Sequence, residues 1–317
     1  MIKVSIIVPV YNGSKYVERC IKSIVYSKDK YNVEIIAIDD KSKDNSLEVL
    51  NKLSNKYKDI KLITNTKNIG VAKTRNKGIE ISRGDYLIFL DQDDFLDDNF
   101  IADYVGYIEE GVYDAVFGGY RRILNGKNIR NQYPKQSQYG MLLITAPWAK
   151  IFNRNFIIKN NIRFFENNIG EDLIPILKII KNSNNIKVVN DISYNWSYNE
   201  KSVSNTKQKN IDNNNLTSLI SLLNEINKIK LPVRLRKYFI LRTANFYIYN
   251  ASKTGHKNLS ISVNKTYQWL ESKNILNLNL VTHPPRNELL RVKLLNILLY
   301  ILYRLKLLNI FINLLNH

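Results

Sequence analysis

A continuous apolar run that ends in a cluster of acids constrains this chain more than any other feature. The run is Tyr86–Leu90, and Asp91, Gln92, Asp93 and Asp94 follow it directly. Short continuous apolar runs are typical of strands covered on both faces of a parallel sheet. The acids then fall at the carboxyl end of the strand, which is the edge where open α/β sheets bind ligands.

Carboxylates this close together repel one another unless a cation or a hydrogen-bond network compensates. A hard divalent cation that bridges to the phosphates of a nucleotide is one solution, since such ions prefer oxygen ligands. The alternative is an acidic turn that caps the following helix, a role that Asp98 or Asn99 could fill. The segment by itself leaves both interpretations open.

Strands alternate with helices through the amino-terminal part of the chain. The predicted strands are Val4–Val10, Val33–Ile38, Ile60–Ile63 and Tyr86–Leu90. Helical patterns with one apolar face separate them. This alternation predicts a mainly parallel, doubly wound α/β sheet, in which polar groups from three strand ends could converge on one crevice.

Four segments in this region resemble, in the right order, the signatures of family 2 glycosyltransferases with the GT-A fold. They are Val8–Asn12, Ile38–Ser46, Asn68–Ile79 and Phe89–Asp94. Each match alone is weak, whereas four in order are specific. The resemblance implies a GT-A catalytic domain over residues 1–205, followed by a helical C-terminal region over residues 206–317.

The resemblance implies a UDP-sugar donor whose base lies near the first two strand ends. Tyr11 would pack against the uracil, with Pro9 beside it, because an aromatic face suits a flat base. Asp40 would accept a hydrogen bond from the N3–H of the uracil, since an ionised carboxylate only accepts. Tyr11 as an ordinary turn residue and Asp40 as a helix cap are the alternatives.

The rest of the donor site would surround the phosphates and the ribose. The resemblance places Arg75 near the nucleotide or its phosphates, with a solvated helix charge as the alternative. Asp91 would contact the ribose, and Gln92 belongs to the same site. Asp93 would coordinate Mn²⁺ or Mg²⁺ at the diphosphate, with Asp91 as a second candidate ligand. Asp94 is expected to support the site from behind.

A second acidic motif supplies the predicted catalytic base. Ile169–Leu173 resembles the glutamate–aspartate motif of the family, which makes Asp172 the general base and Glu171 an orienting neighbour or acceptor contact. A base that deprotonates the incoming hydroxyl in line with departure of the nucleotide inverts the anomeric centre. The alternative is that both acids simply favour the positive end of the helix predicted over Leu173–Ile180.

The acceptor side is predicted between the two acidic motifs and just after the second. Ala146–Phe152 is similar to a family segment, in which Trp148 could stack on a sugar or be a core residue. Lys150 could contact the acceptor or the donor phosphate, or be solvated. The loop Asn199–Ser204 is similar to one that closes over the donor, although it offers Lys201 where the family often has arginine or histidine.

Composition bears on location. The single Cys20 excludes an internal disulfide, which fits a reducing cytoplasm, and the amino terminus predicts no signal peptide. The formal net charge is +19, but no RNA-binding motif accompanies it. Asn287–Leu315 reads as one basic amphipathic helix suited to an anionic membrane surface. Packing on the protein or at an oligomer seam is the alternative.

Together these features predict an inverting, metal-dependent glycosyltransferase. It would transfer a hexose or N-acetylhexosamine from a UDP-sugar to a capsule, lipopolysaccharide or exopolysaccharide precursor, either free or lipid-linked, at the inner face of a bacterial membrane. Protein or teichoic acid acceptors remain alternatives. A catalytically silent scaffold of the same fold and a nucleic-acid-binding protein are alternatives of other classes. The sequence leaves the donor sugar and the linkage open.

Overall fold

The computed structural model describes residues 3–28, 31–198, 213–252 and 259–315. These residues form two compact units. The first contains Met1–Glu166 and Lys178–Asn199, and the second contains Asn167–Leu177 and Glu200–His317. The domain boundary predicted after residue 205 lies outside the described residues, as does the predicted donor-closing loop with Lys201 and Ser202.

The amino-terminal part of the chain alternates strands and helices as predicted. The strands are β1 (Lys3–Val10), β2 (Asn32–Asp39), β3 (Ile60–Thr64), β4 (Tyr86–Phe89), β5 (Phe95–Leu96), β6 (Ala115–Phe117), β7 (Tyr120–Leu124), β8 (Lys127–Gln132), β9 (Lys150–Asn153), β10 (Ile186–Val188) and β11 (Tyr194–Ser197). The helices are α1 (Val17–Ser27), α2 (Ser46–Lys56), α3 (Val71–Ile81), α4 (Phe100–Glu109), α5 (Gln138–Met141), α6 (Arg154–Lys159) and α7 (Leu173–Asn182).

Seven of the strands form the central sheet, in the order β10-β6-β9-β4-β1-β2-β3. The pairings of β1 with β2 and β4, of β2 with β3 and of β6 with β10 are parallel. Strand β9 runs antiparallel to both of its neighbours. The predicted mainly parallel α/β sheet is therefore confirmed, with one reversed strand inserted into it.

Helices cover both faces of this sheet, which explains why its strands read as unbroken apolar runs. Successive side chains of a strand point to opposite faces. Ile6 and Val8 of β1 belong to the core cluster that also contains Ile21 of α1. Ile7, on the other face, lies against Gly78 of α3. A strand buried on both faces has few positions for a polar side chain before it ends, and the buried Ser5 of β1 is accommodated by a hydrogen bond to Glu34.

A second, four-stranded sheet has the order β5-β11-β7-β8. Strands β7 and β8 form a hairpin closed by Asn125 and Gly126, which have φ angles of 50° and 76°. Two consecutive residues with positive φ define the turn that matches the twist of a two-residue hairpin. Strand β11 pairs in parallel with β7 and antiparallel with β5. Because β5 follows β4 in the chain, this pairing connects the segment after β4 to the second sheet.

The second unit is helical in its C-terminal part, as predicted. Its helices there are α8 (Asn213–Lys228), α9 (Val233–Ala251), α10 (Leu259–Ser272), α11 (Leu278–Thr282), α12 (Leu290–Arg304) and α13 (Leu308–Leu315). The prediction of one helix over Asn287–Leu315 is wrong, because the helix ends after Arg304 and a second helix begins at Leu308. Lys306 has a φ of 60°, and the N–H of Leu307 donates to the carbonyl of Leu302, a hydrogen-bond pattern that ends a helix.

Two glycines within helices, Gly78 and Gly106, differ in how closely the rest of the protein packs against them. A Cβ at Gly78 would lie 2.4 Å from Cγ2 of Ile7, whereas a Cβ at Gly106 in α4 would meet nothing within 4 Å. We expect Gly78→Ala to lower the free energy of unfolding by about 1–3 kcal/mol through overpacking. Gly106→Ala should instead raise it by up to about 1 kcal/mol. Urea unfolding of both variants measures the difference, and equal shifts would contradict the close approach of α3 to β1.

Candidate active site

Three adjacent parallel strands end at the same edge of the central sheet and carry the predicted donor-site residues there. Tyr11 follows β1, Asp40 follows β2, and Asp91 lies just after β4. Because β1 lies between β4 and β2, these residues are brought together from distant parts of the sequence. The N–H of Asp40 donates to the carbonyl of Val10 at 2.7 Å, which fixes the first two strand ends to each other.

The side chain of Gln92 joins the first and third strand ends. Its Oε1 accepts a hydrogen bond from the backbone N–H of Tyr11 at 2.9 Å, and its Nε2 donates to the carbonyl of Tyr11 at 3.0 Å. The amide thus pairs with Tyr11 as a neighbouring strand would. The residue Tyr11 is 39% exposed, so its backbone is held while its side chain faces solvent.

Asp40 is buried and is surrounded by donors from the start of α3. Its Oδ1 accepts from Nδ2 of Asn65 and from the N–H of Ile69, both at 2.9 Å, and its Oδ2 accepts from the N–H of Gly70 at 2.8 Å. Asp40 therefore holds the loop that leads into α3, because both N–H groups precede Val71, the first residue of that helix. An ionised carboxylate has about four acceptor positions, so one remains for a ligand donor. Asn65 had no signal in the sequence.

Arg75 lies inside the protein rather than on a solvated helix face. It is 3% exposed, and its Nη2 is 2.5 Å from Oδ1 of Asp91. Its guanidinium also lies over the ring of Phe164, with 5.2 Å between the guanidinium carbon and the ring centroid. The alternative of a solvated charge is wrong. Arg75 supplies positive charge directly at the end of β4.

Asp94 is buried behind the strand end. Its carboxyl accepts hydrogen bonds from the hydroxyl of Tyr194 at 2.5 Å and from the N–H of Ser197 at 2.8 Å. Burial raises the pKa of Asp94 well above its ordinary value, and the neighbouring charges of Asp93 and Asp91 raise it further. These contacts attach the acidic turn to β11, which fits the expectation that Asp94 supports the site from behind.

Arg19 of α1 also holds the acidic turn, although no sequence motif contains it. Its Nη2 donates to the backbone carbonyl of Asp93 at 2.6 Å and to Oγ of Ser197 at 2.8 Å. Its guanidinium lies 4.6 Å from the ring centroid of Phe95. A charged residue on the polar face of an amphipathic helix is ordinarily read as solvated, so only the folded chain reveals this contact.

Asp91 and Asp93 are the residues at this edge that could hold a divalent cation. Arg75 engages one oxygen of Asp91. In the part of the chain that the structure describes, no group of three or more His, Cys, Asp or Glu residues is arranged to hold a metal. Mg²⁺ is commonly bound by one or two carboxylates together with substrate phosphates. The residues therefore fit a cation that shares the phosphates of a nucleotide, not a site built from protein alone.

Glu171 and Asp172 belong to the second unit, where they form the turn just before α7. This position is compatible with a catalytic pair and with acids at a helix amino terminus. Tyr247 of α9 lies close enough to interact electrostatically with both carboxylates. Burial raises the pKa of Tyr247, and the charges of Glu171 and Asp172 raise it further. The predicted meeting of Asp172 with Asp93 stays a prediction.

The turn that carries the acid pair is fixed to α8. Gly170 has a φ of 67°, and a Cβ there would lie 2.5 Å from Cδ2 of Leu222. Both the left-handed backbone and the close contact therefore require glycine. Nδ2 of Asn167 donates to the carbonyl of Ser218 at 2.9 Å. The acid pair thus follows a segment that is held by the helical part of its unit.

The predicted acceptor residues Trp148 and Lys150 are buried. Trp148 is 7% exposed and stacks on Tyr194, with ring centroids 4.9 Å apart, so it occupies the aromatic core as the alternative held. Lys150 has no exposed surface, and its Nζ donates to the carbonyls of Ala146 and Trp148. Neither side chain offers a surface to an acceptor in this conformation, and Lys150 is not solvated.

Comparison with known proteins agrees with this architecture. The profile described as glycosyl transferase family 2 matches residues 5–205, and the chain belongs to that family. A poly(ribitol-phosphate) beta-glucosyltransferase of Bacillus spizizenii is 29% identical over 201 residues. That match covers 61% of this chain but only 32% of the relative, so the chain spans about a third of that protein's length.

Solved structures show the same fold. The crystal structure of S. aureus TarS 1-349 in complex with UDP-GlcNAc matches with a TM-score of 0.70 and 21% identity, over 99% of this chain and 90% of that one. A mannosyltransferase from Pyrobaculum calidifontis in complex with GDP-Man and Mn²⁺ matches with a TM-score of 0.55 and 15% identity, over 86% of this chain and 84% of that one. The GT-A fold predicted from the four sequence segments is confirmed.

The hydrogen bonds between Gln92 and the backbone of Tyr11 predict that the Gln92→Ala variant binds UDP more weakly. Gln92→Ala removes both hydrogen bonds that hold the backbone of Tyr11, so the aromatic ring is no longer pre-positioned for a base. We expect the Kd for UDP to rise by about tenfold, the equivalent of one to two net hydrogen bonds. Isothermal titration calorimetry measures the change.

Gln268→Ala is the matched control, because Gln268 is exposed on α10. It should leave the Kd for UDP unchanged. Thermal unfolding of Gln92→Ala should shift by only a few degrees, as expected for a part-exposed contact. An unaltered Kd for UDP in Gln92→Ala would show that the position of Tyr11 does not depend on the amide.

Proposed function

We propose that this protein is a glycosyltransferase that moves a hexose or N-acetylhexosamine from a UDP-sugar to a hydroxyl of a bacterial surface-glycan precursor. The observation that carries the proposal is the hydrogen-bonded edge formed by Tyr11, Asp40 and Asp91 at three adjacent strand ends. A glycosyltransferase of Bacillus spizizenii and one of Staphylococcus aureus are similar to this chain over 201 and 204 residues. The activities in their names are those of the relatives, and we infer the activity of this chain.

The residues after β1 and β2 would bind the base of the donor, whereas Asp91 after β4 would bind the ribose or the cation. The part-exposed Tyr11 would pack against the uracil, with Pro9 at the end of β1 beside it. The acceptor position that remains on Asp40 would take the imide N–H of the base. Arg75 would act through Asp91, keeping one oxygen of that carboxylate engaged so that it presents the other to the ribose or the cation.

Asp93 would hold Mn²⁺ or Mg²⁺, with Asp91 as a second ligand. When bound, such a cation stabilises the negative charge that develops on the departing nucleoside diphosphate. The protein's own contribution is to hold these carboxylates in place. Arg19 fixes the backbone of Asp93, while Asp94 ties the same turn to β11. The turn that carries the three acids is thereby held in place before a ligand binds.

Asp172 would be the general base and Glu171 its orienting neighbour. A carboxylate that accepts the proton of the incoming hydroxyl while the nucleotide departs from the opposite face gives an inverted product. The rigid attachment of this turn to α8, through Gly170 and Asn167, supports such a role. A base has to be placed within a fraction of an ångström to be effective.

A poly(ribitol-phosphate) acceptor is the second candidate. Both a Bacillus relative and TarS of Staphylococcus aureus carry that polymer in their names. A chain with a net charge of +19 also suits a polyanionic acceptor. We propose further that the reaction takes place in the cytoplasm at the inner face of the membrane, where lipid-linked precursors are extended.

Asp93→Ala tests the donor site. We expect UDP binding to require Mn²⁺ or Mg²⁺ and to weaken by about 100-fold in this variant, because a cation held by few protein ligands loses a principal one. Calorimetry with and without the cation measures both effects. Glu109→Gln, an exposed charge change at the end of α4, is the control. Metal-independent binding of equal strength in Asp93→Ala would refute the metal site.

Asp172→Asn tests the base. We expect sugar transfer to fall by about 10²–10⁴-fold, the usual contribution of a general base. The Kd for UDP should not change, because Asp172 has no role in holding the nucleotide. Product formation from a panel of UDP-sugars, followed by mass spectrometry, measures the transfer. Undiminished transfer, or undiminished complementation of a strain that lacks the glycan, would remove Asp172 from the mechanism.

A further inference from the structure

Helices α12 and α13 each pack one face against the other helices of the second unit. Asn296 of α12 is buried, where its Oδ1 accepts from Nδ2 of Asn245 at 2.8 Å and its Nδ2 donates to the hydroxyl of Tyr238 at 3.2 Å. On α13, Leu308 and Ile312 are also buried. A buried amide with both ends hydrogen-bonded sets the rotation of a helix. The orientation of α12 in its unit is therefore fixed.

The opposite face of α12 is apolar and exposed. We call it the apolar stripe, and its members are Leu290, Leu294, Leu298, Ile301 and Leu305. They are between 42% and 69% exposed. Their spacings of four, four, three and four residues place them within about 80° of the helix circumference, at 100° per residue. Large side chains in one exposed row mark an interaction surface rather than scattered surface leucines.

The charged residues of α12 that lie beside the apolar stripe are all positive. Arg291 lies along one side of it, and Lys293 and Arg304 lie along the other, with Lys306 just beyond the end of α12. The sequence from 289 to 315 contains no acidic residue. The carboxylate that approaches these cations is Glu271 of α10, at 3.7 Å from Arg304, in a pair that is more than half exposed. Such a pair leaves most of the positive field uncompensated.

This charge pattern selects the kind of partner. A second copy of the chain would bring the same positive side chains against these, and like charges across an interface are unfavourable. A lipid surface with anionic headgroups offers both an apolar interior for the leucines and negative charge for the rim. Within the described ranges, every helix is too short or too polar to cross a bilayer.

We propose that the apolar stripe, with its rim of Arg291, Lys293, Arg304 and Lys306, docks the protein on an anionic phospholipid surface. Leucine insertion and electrostatic attraction supply the two signals that stable peripheral binding requires. Docking would bring the enzyme to a lipid-linked acceptor, and in that respect the inference rests on the proposed function. Lipid binding itself needs neither a donor nor an acceptor.

Co-sedimentation of the full chain with vesicles tests the docking surface. We expect binding to vesicles that contain phosphatidylglycerol and little binding to phosphatidylcholine alone. Leu294→Ser combined with Leu298→Ser should lower the partition coefficient by about tenfold, because two inserted leucines lose most of their apolar area. Arg291→Gln combined with Lys293→Gln should lower binding to the anionic vesicles and flatten its dependence on salt.

Val112→Ser combined with Ile261→Ser is the matched control. Both residues are large, apolar and more than half exposed, and both lie off the apolar stripe. This variant should partition as the parent does. Each variant is first shown to bind UDP as tightly as the parent, so that lost partitioning with intact UDP binding reports on the surface alone.

Two outcomes would overturn the inference. One is equal binding to neutral and anionic vesicles by the parent and all variants. The other is a concentration-dependent dimer, seen by light scattering, that the paired leucine substitutions abolish, because a second copy would then be the occupant. Failure of UDP binding or transfer in the parent would instead count against the proposed function and leave the lipid result standing.

Discussion

The accumulation of negative charge at one sheet edge is the constraint on which the rest of the first unit depends. Parallel pairing of β4, β1 and β2 places Asp91, Asp93 and Asp94 at the same edge of the sheet as Asp40. The chain balances this charge in three ways. Arg75 pairs with Asp91, backbone and amide N–H groups surround Asp40, and burial raises the pKa of Asp94. Part of the negative charge at this edge therefore has a partner within the protein itself.

The same contacts act as positioning elements. Gln92 holds the backbone of Tyr11, and Arg19 holds the backbone of Asp93. Each joins a residue proposed to contact the donor to an element elsewhere in the sequence. Contacts that hold the backbone of these residues place their side chains before a ligand binds, and pre-organisation of this kind lowers the cost of binding and of reaching the transition state.

The second unit combines two roles that are separate in the sequence. Its segment Asn167–Leu177 carries Glu171 and Asp172, and its C-terminal helices carry the apolar stripe. The helices α8 and α9 contact the acid-pair turn through Leu222 and Tyr247, while α9 also holds α12 through Asn245. The unit that would dock on lipid is therefore the one that supports the proposed base.

The sequence by itself determined the strand–helix alternation, the sheet class, the family and the segments that form the edge proposed to bind the donor, because these follow from local patterns and turn chemistry. The tertiary structure alone decided which polar residues are internal. Trp148 and Lys150 are buried, Arg75 pairs with Asp91, and Arg19 and Asn65 reach the edge from afar. It also divided the C-terminal helix at Lys306 and set the face of α12 that remains exposed. Periodicity shows that a face is apolar or polar, but what packs against it depends on contacts between residues far apart in the chain.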